Sequence, residues 1–181
     1  MLKGKNVVLR LFTEEDLKEF SALDADVVAR GEYYPIGLRP DAVLHRRFND
    51  TGLWDKDIGH MLITTHDGRM IGTIFFFQGT PYRVGYEVGY WILRPPERGK
   101  GYMTEALRIF TAYLFEVKEI PRLELAILPG NDASRRVAEK CGFKLDGVMR
   151  KQYFCHGRYH DLQVWSLLRE ESPTLADALA G

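Results

Sequence analysis

The chain has 181 residues, about the length of one domain. Its 25 basic side chains balance 25 acidic ones, so it lacks the basic excess with which a general nucleic-acid binder displaces counterions. With 45% hydrophobic and 12% aromatic residues it can bury a sizeable core, which excludes a disordered tail. Two cysteines, Cys141 and Cys155, are too few for a disulfide scaffold and read as reduced thiols of a cytoplasmic protein. Residues 1–6 carry charge with no apolar stretch behind them, so no signal peptide is expected. The longest strongly apolar run, residues 71–77, is too short to span a bilayer, and no membrane partner is expected.

Residues 6–11 read as a first strand. Thr13, with Asp16 three residues on, opens a helix that carries Leu17, Phe20 and Leu23. Pro40-Asp41 starts a second helix with Val43, Leu44 and Phe48 on its apolar side. Residues 61–65 form a strand, Asp67-Gly68 a hairpin turn, and residues 70–77 a returning strand, apolar on both faces and therefore central. A long strand rich in Val and aromatics follows over 83–93, then a loop of Pro, Gly and charge over 94–101. A helix over 104–117 places Ala106, Leu107, Phe110, Leu114 and Val117 on one face. Residues 122–127 form a strand broken by Pro129-Gly130-Asn131, and a short helix over 132–140 stops at Cys141-Gly142. Two more strands, 143–154 and 159–168, flank a turn at His156-Gly157. The order gives a mixed α/β (α+β) domain of about seven strands and four helices over 1–171. The tail, 172–181, either frays or docks as a short helix.

The chemistry concentrates in Arg98-Gly99-Lys100-Gly101-Tyr102-Met103-Thr104, between a strand and a helix. Glycines there let the backbone approach a ligand, and the free N–H groups and dipole of a helix N-terminus suit a pyrophosphate. Arg98 and Lys100 add positive charge. The segment is neither a P-loop, since Gly99-Lys100 is followed by Gly101, nor a dinucleotide fingerprint, since Thr104 stands where the third glycine belongs. Alone, it reads equally well as a tight, solvated turn.

Its surroundings decide the matter. Tyr90-Trp91-Ile92-Leu93 precedes the loop, Thr104-Glu105-Ala106 opens the helix, and Asn131-Asp132-Ala133-Ser134 and Glu139-Lys140-Cys141-Gly142-Phe143 follow. With Arg150, Gly157 and Asp161 in the last strand pair, this pattern resembles the GNAT superfamily of acyl-CoA-dependent N-acetyltransferases over residues 6–170. More narrowly it is similar to the ribosomal-protein N-acetyltransferase (RimJ/RimL-like) branch. One departure is Met103, where the superfamily usually has Gly or Ala, a change expected to narrow the pyrophosphate site.

The resemblance implies the GNAT fold, a mixed, mostly antiparallel sheet, and acetyl transfer from acetyl-CoA to a primary amine without a metal. It implies Glu87 as the base, with an ion pair to Arg83 as the plain alternative. Many members carry a tyrosine acid before Gly-Phe, but here those positions are Ala138 and Glu139; the resemblance implies Ser134 instead. Asn131 is expected to cap its helix and reach the pantetheine arm. Leu93 and the segment Arg98 to Thr104 are expected to line the cosubstrate, with a backbone N–H near Ile92 or Leu93 facing the developing oxyanion. Tyr33, Tyr34 and Trp54, among the acidic residues Asp24, Asp26 and Glu32, are expected to receive the acceptor. A protein N-terminus, a small amine and a free amino acid all remain open as acceptor, as do a larger acyl group, self-association into a homodimer, and a non-catalytic acyl-CoA-binding module. The five histidines show no metal-ligand spacing, and Arg46-Arg47 reads as a solvated helix face.

Overall fold

A computed structural model of the chain describes residues 1–34, 37–79 and 84–181. Arg83, the expected partner of Glu87, lies outside the described residues. The order is β1 (Leu2–Lys3), β2 (Val8–Arg10), α1 (Glu14–Asp24), α2 (Val27–Arg30), α3 (Asp41–Thr51), β3 (Ile58–Thr64), β4 (Met70–Phe77) and β5 (Tyr86–Ile92). It continues with α4 (Tyr102–Val117), β6 (Arg122–Ile127), α5 (Asp132–Lys140), β7 (Lys144–Cys155), β8 (Arg158–Leu168) and α6 (Leu175–Ala180). Among the described residues this gives eight strands and six helices, against about seven and four expected. The additions are short: a two-residue edge strand, the four-residue α2 and the C-terminal α6.

The eight strands form one sheet in the order β1-β2-β3-β4-β5-β6-β8-β7, with β4 near its centre. Every neighbouring pair is antiparallel except β5 and β6. The main core lies between the sheet and α4, where Phe76, Val88, Leu107 and Phe110 pack. A second cluster of Leu17, Leu62, Trp91 and Leu93, joined by Phe20 and Leu44, fills the opposite face beneath α1 and α3. α6 docks on the main core through the buried Ala178, so the tail does not fray.

Local chemistry sets the boundaries that matter for the site. Asp16 accepts from the Thr13 backbone N–H at 2.7 Å and pairs with Arg10 at 2.6 Å, which fixes the start of α1. Burial raises the Asp16 carboxyl's proton affinity, but Arg10 and Thr13 outweigh it and hold the group below its usual range. At the end of α5, Gly142 adopts a left-handed φ of 85°. The Phe143 N–H reaches the Ala138 carbonyl at 3.0 Å and the Gly142 N–H reaches Glu139 at 3.1 Å, a Schellman stop.

Candidate active site

The site begins as a failure of strand pairing. β5 and β6 pair only at Tyr86 with Leu123 and Glu87 with Glu124. Beyond that point β6 continues against β8, from Arg122 to Ile127, while β5 continues against β4. The two strands therefore part like a V. The Leu93 N–H bonds to the Ile71 carbonyl at 3.0 Å. The antiparallel alternation then turns the N–H groups of Tyr90 and Ile92 toward the gap. The Ile92 carbonyl on that side accepts from Arg98 Nε at 3.3 Å.

A cavity of about 1060 Å³ runs through this opening. Residues alternate along β5, so Val88, Tyr90 and Ile92 face α4 and α5, while Glu87, Gly89 and Trp91 face α1 and α3. All six line the cavity.

On the α4 side, Gly99 and Gly101 carry left-handed φ values of 78° and 87°, where a side chain would be strained. Gly101 caps α4. The Glu105 N–H is the first to find an intrahelical partner, at Gly101, so the N–H groups of Tyr102, Met103 and Thr104 are the unpaired donors of the first turn. The Met103 side chain is 8% exposed, packs in the main core and borders the cavity. Arg98, with Nη2 also donating to the Ala29 carbonyl, ties the loop to α2 and the end of β5. Lys100 departs from the expected pyrophosphate contact, because its ammonium sits 2.9 Å from the buried Glu97 carboxylate, which Arg69 holds from the other side at 2.5 Å. Leu93 also departs from expectation. Its side chain is 1% exposed in the second core and its N–H is spent on Ile71, which leaves Ile92 as the free donor of that pair.

Asn131 caps α5 by accepting from the Ser134 N–H at 3.1 Å. Ser134 Oγ lies 2.8 Å from the Tyr90 hydroxyl, across the gap between β5 and α5. Burial pushes the Tyr90 phenol above its usual range, only partly offset by the Ser134 bond, so it stays protonated. Sequence reasoning missed Tyr90 because an aromatic in a strand reads as core; only the parted strands bring it to Ser134. Cys141, nearby, donates its thiol to the Thr104 carbonyl, and burial pushes it up to about 12, which keeps it unreactive.

On the α1/α3 side the expected acceptor residues separate. Tyr34 stacks on Trp91 with centroids 4.7 Å apart, and Tyr33 donates to the Gly130 carbonyl at 3.0 Å, so both border the cavity. Trp54 does not. It packs on Phe76, Phe110 and Tyr113 in the main core, on the other face of the sheet. Of the acidic cluster, Asp24 holds the buried Arg30 at 3.2 Å and Asp26 caps α2 through the Ala29 N–H, while Glu32 lines the cavity. Arg47, read as part of a solvated helix face, is exposed but reaches the cavity rim. Sequence reasoning also missed His60, Phe75, Phe77 and Tyr153, which come together only through strand register. Among the described residues no group of three or more His, Cys, Asp or Glu side chains is placed to hold a metal ion.

Comparison with known proteins identifies the family and the fold. Residues 6–144 match the acetyltransferase (GNAT) domain family. The chain is 29% identical over 181 residues to the probable N-acetyltransferase YjcK of Bacillus subtilis (strain 168), covering 94% of this chain and 98% of the relative. It is 37% identical over 106 residues to the putative ribosomal N-acetyltransferase YdaF of the same organism, covering 59% of this chain and 57% of that one. In fold it is similar to RimL, a ribosomal L7/L12 alpha-N-protein acetyltransferase in complex with coenzyme A (TM-score 0.79, 20% identity, covering 93% and 97% of the two chains). It is similar also to the spermidine N-acetyltransferase of Vibrio cholerae in complex with CoA and spermine (TM-score 0.78, 19% identity, covering 91% and 96%).

Proposed function

The chain belongs to the GNAT acetyltransferase family and is an N-acetyltransferase that moves an acetyl group from CoA to an amine; from that premise we propose how its residues divide the work. Acetyl-CoA supplies the thioester: the acceptor nitrogen bonds to the acetyl carbon, the carbon–sulfur bond breaks, one proton leaves the nitrogen and one reaches the sulfur.

The cradle of Gly99 and Gly101 and the N–H groups of Tyr102, Met103 and Thr104 bind the pyrophosphate, with the α4 dipole behind them. A Cβ built on either glycine meets nothing within 4 Å, so the space in front of this backbone is open. Asn131 borders the pantetheine arm and fixes the first turn of α5. The Ile92 N–H faces the acetyl oxygen, where charge develops. Ser134 Oγ donates a hydrogen bond to the departing sulfur or holds the water that protonates it, and the Tyr90 hydroxyl holds that oxygen in place. Glu87, on the other face of β5, accepts the amine proton directly or through one water. Tyr33 and Tyr34 border the acceptor side; a protein N-terminus and a small amine both satisfy this arrangement.

The observation that carries the reading is the parting of β5 and β6 with Ser134 on one face and Glu87 on the other. Acetyl-CoA is expected to raise the melting temperature, and thiol release over a panel of amines to show turnover. Ser134→Ala and Glu87→Gln are each expected to lower kcat about 100-fold with the acetyl-CoA KM within about twofold. Glu87→Gln should also flatten the acid limb of the pH–rate profile. Full kcat in both variants removes the proposed division of labour. Binding of acetyl-CoA without turnover on any amine points to a non-catalytic acyl-CoA-binding module.

A further inference from the structure

The acceptor half of the cavity has a definite chemistry. His60 on β3 and Phe75 on β4 are register partners, and their rings stack with centroids 4.8 Å apart at 21°. Phe77 continues the row, 6.1 Å from Phe75 at 28°. Phe75 and Phe77 are only partly buried and line the cavity, so their ring surface is open to its contents. Phase and position of this row depend on Gly89. A Cβ there would stand 2.3 Å from Phe75 Cζ, so the missing side chain is what lets the Phe75 ring lie across β5. The floor beside Glu87 is therefore a nearly flat aromatic surface.

Charged groups of both signs line the cavity around this floor. The carboxylates on the cavity wall are Asp24, paired with Arg30, Asp41, which accepts from Ser21, Asp55, which accepts two backbone N–H groups, and Glu32, Asp50 and Glu87. The arginines Arg39 and Arg47 stand on the rim, close enough to disfavour protonation of His60. Burial, followed by those two guanidinium charges, lowers His60 to about 4, so the floor is neutral at physiological pH. An aliphatic polyamine has no ring to lay on Phe75 and Phe77.

We propose that the acceptor is a primary amine with an aromatic body, whose ring lies on the His60–Phe75–Phe77 floor and whose amine points to Glu87. The proposal rests on the acetyl-transfer reading above. Stacking on exposed ring faces holds the body. The same chemistry is offered by a small aromatic amine and by the N-terminal residue of a peptide that begins with Phe.

Thiol release is measured with phenethylamine, a Phe-initiated tripeptide and spermidine, alongside saturation-transfer NMR on the phenethylamine ring protons. Expected is a kcat/KM at least about tenfold higher for one of the two aromatic acceptors than for spermidine, with saturation transfer to the ring. The better of the two identifies the source. Phe75→Ala, and the milder Phe75→Leu, should raise the KM of that acceptor about tenfold and about threefold while the acetyl-CoA KM stays put. Spermidine equal to or better than both aromatic acceptors, or an aromatic KM unmoved in both folded variants, overturns the aromatic class and leaves acetyl transfer standing. Ring saturation transfer without thiol release on any amine supports the aromatic floor and overturns the transfer reading. Loss of both overturns both.

Discussion

The two faces of β5 recognise their ligands by different means. Toward α4 and α5, the surface is built from backbone and from short, bonded side chains: left-handed Gly99 and Gly101, the first turn of α4, Asn131 on the Ser134 N–H, and Ser134 on Tyr90. Toward α1 and α3, it is built from ring faces, with His60, Phe75, Phe77, Tyr34 and Trp91 on the same cavity as Glu87. The first surface suits a ligand that never changes, because backbone groups cannot drift by side-chain substitution. The second is made of side chains on separate strands and helices, each free to vary without moving the sheet. In the proposed division of labour, a single strand thus joins a fixed cosubstrate site to an adjustable acceptor site.

The largest expected effect tests where the acceptor surface ends. Trp54 belongs to the α4 face, wedged over Gly59, where a Cβ would lie 2.7 Å from its ring. Trp54→Ala should cost about 3 kcal/mol in urea unfolding by leaving a cavity beside Phe76 and Phe110. The KM values of the folded variant should be unchanged. Retained stability with a raised acceptor KM would instead move Trp54 into the site.

The next effect probes the neutrality of the aromatic floor. His60 is lowered to about 4 by burial, then by Arg39 and Arg47, against 6.5 for a free histidine. As the pH falls below 6.5 the unfolded chain takes up a proton that the folded chain refuses until about 4. The stability is therefore complete above pH 6.5 and declines between 6.5 and 4, by on the order of 2 kcal/mol for this one group. His60→Gln should remove that part of the slope in urea midpoints taken across the range. An unchanged slope would mean that His60 titrates alike in both states.

How much of each face was legible in the sequence follows from how each is built. The cosubstrate face is local. Residues 98–104 and 131–134 are contiguous, their glycine and cap chemistry is decided within a turn, and β4, β6 and α5 fall where the patterning puts them. The acceptor face is not. Phe75 and His60 meet through a register that depends on the hairpin around Gly68, and Phe75 lies flat only because residue 89 is Gly. The acidic residues Asp24 and Asp26 illustrate the limit: their type suggested an amine site, but their partners are Arg30 and the start of α2. Side-chain type shows which chemistry is available, whereas partner assignment requires the packing.

Tyr90 sits where the two faces meet, and a smaller effect is expected from it. Tyr90→Phe removes the bond to Ser134 Oγ while keeping the buried ring. If the hydroxyl positions Ser134, kcat should fall about tenfold with both KM values nearly unchanged. A double-mutant cycle isolates that role. In a Ser134→Ala background, Tyr90→Phe should cost almost nothing more, because the oxygen it holds is gone. Independent, additive losses would show that Tyr90 acts on the reaction by another route.

The smallest expected effect decides whether the cosubstrate face works through backbone or through charge. Lys100 lies within the glycine loop, yet its ammonium is bound to Glu97, which also anchors Arg69. The Glu97 carboxyl is held below its usual range by the Lys100 and Arg69 hydrogen bonds, so the carboxylate keeps both cations near neutral pH. The Lys100 end of this pair is open to solvent, and its charge is largely spent on Glu97 before a phosphate arrives. Lys100→Met should therefore shift the acetyl-CoA KM less than about twofold, with a weak salt dependence in both proteins. A rise of about tenfold, steepest at low salt, would show that Lys100 leaves Glu97 for the pyrophosphate. In that case charge would join the left-handed glycines and the α4 N-terminus in holding the cosubstrate.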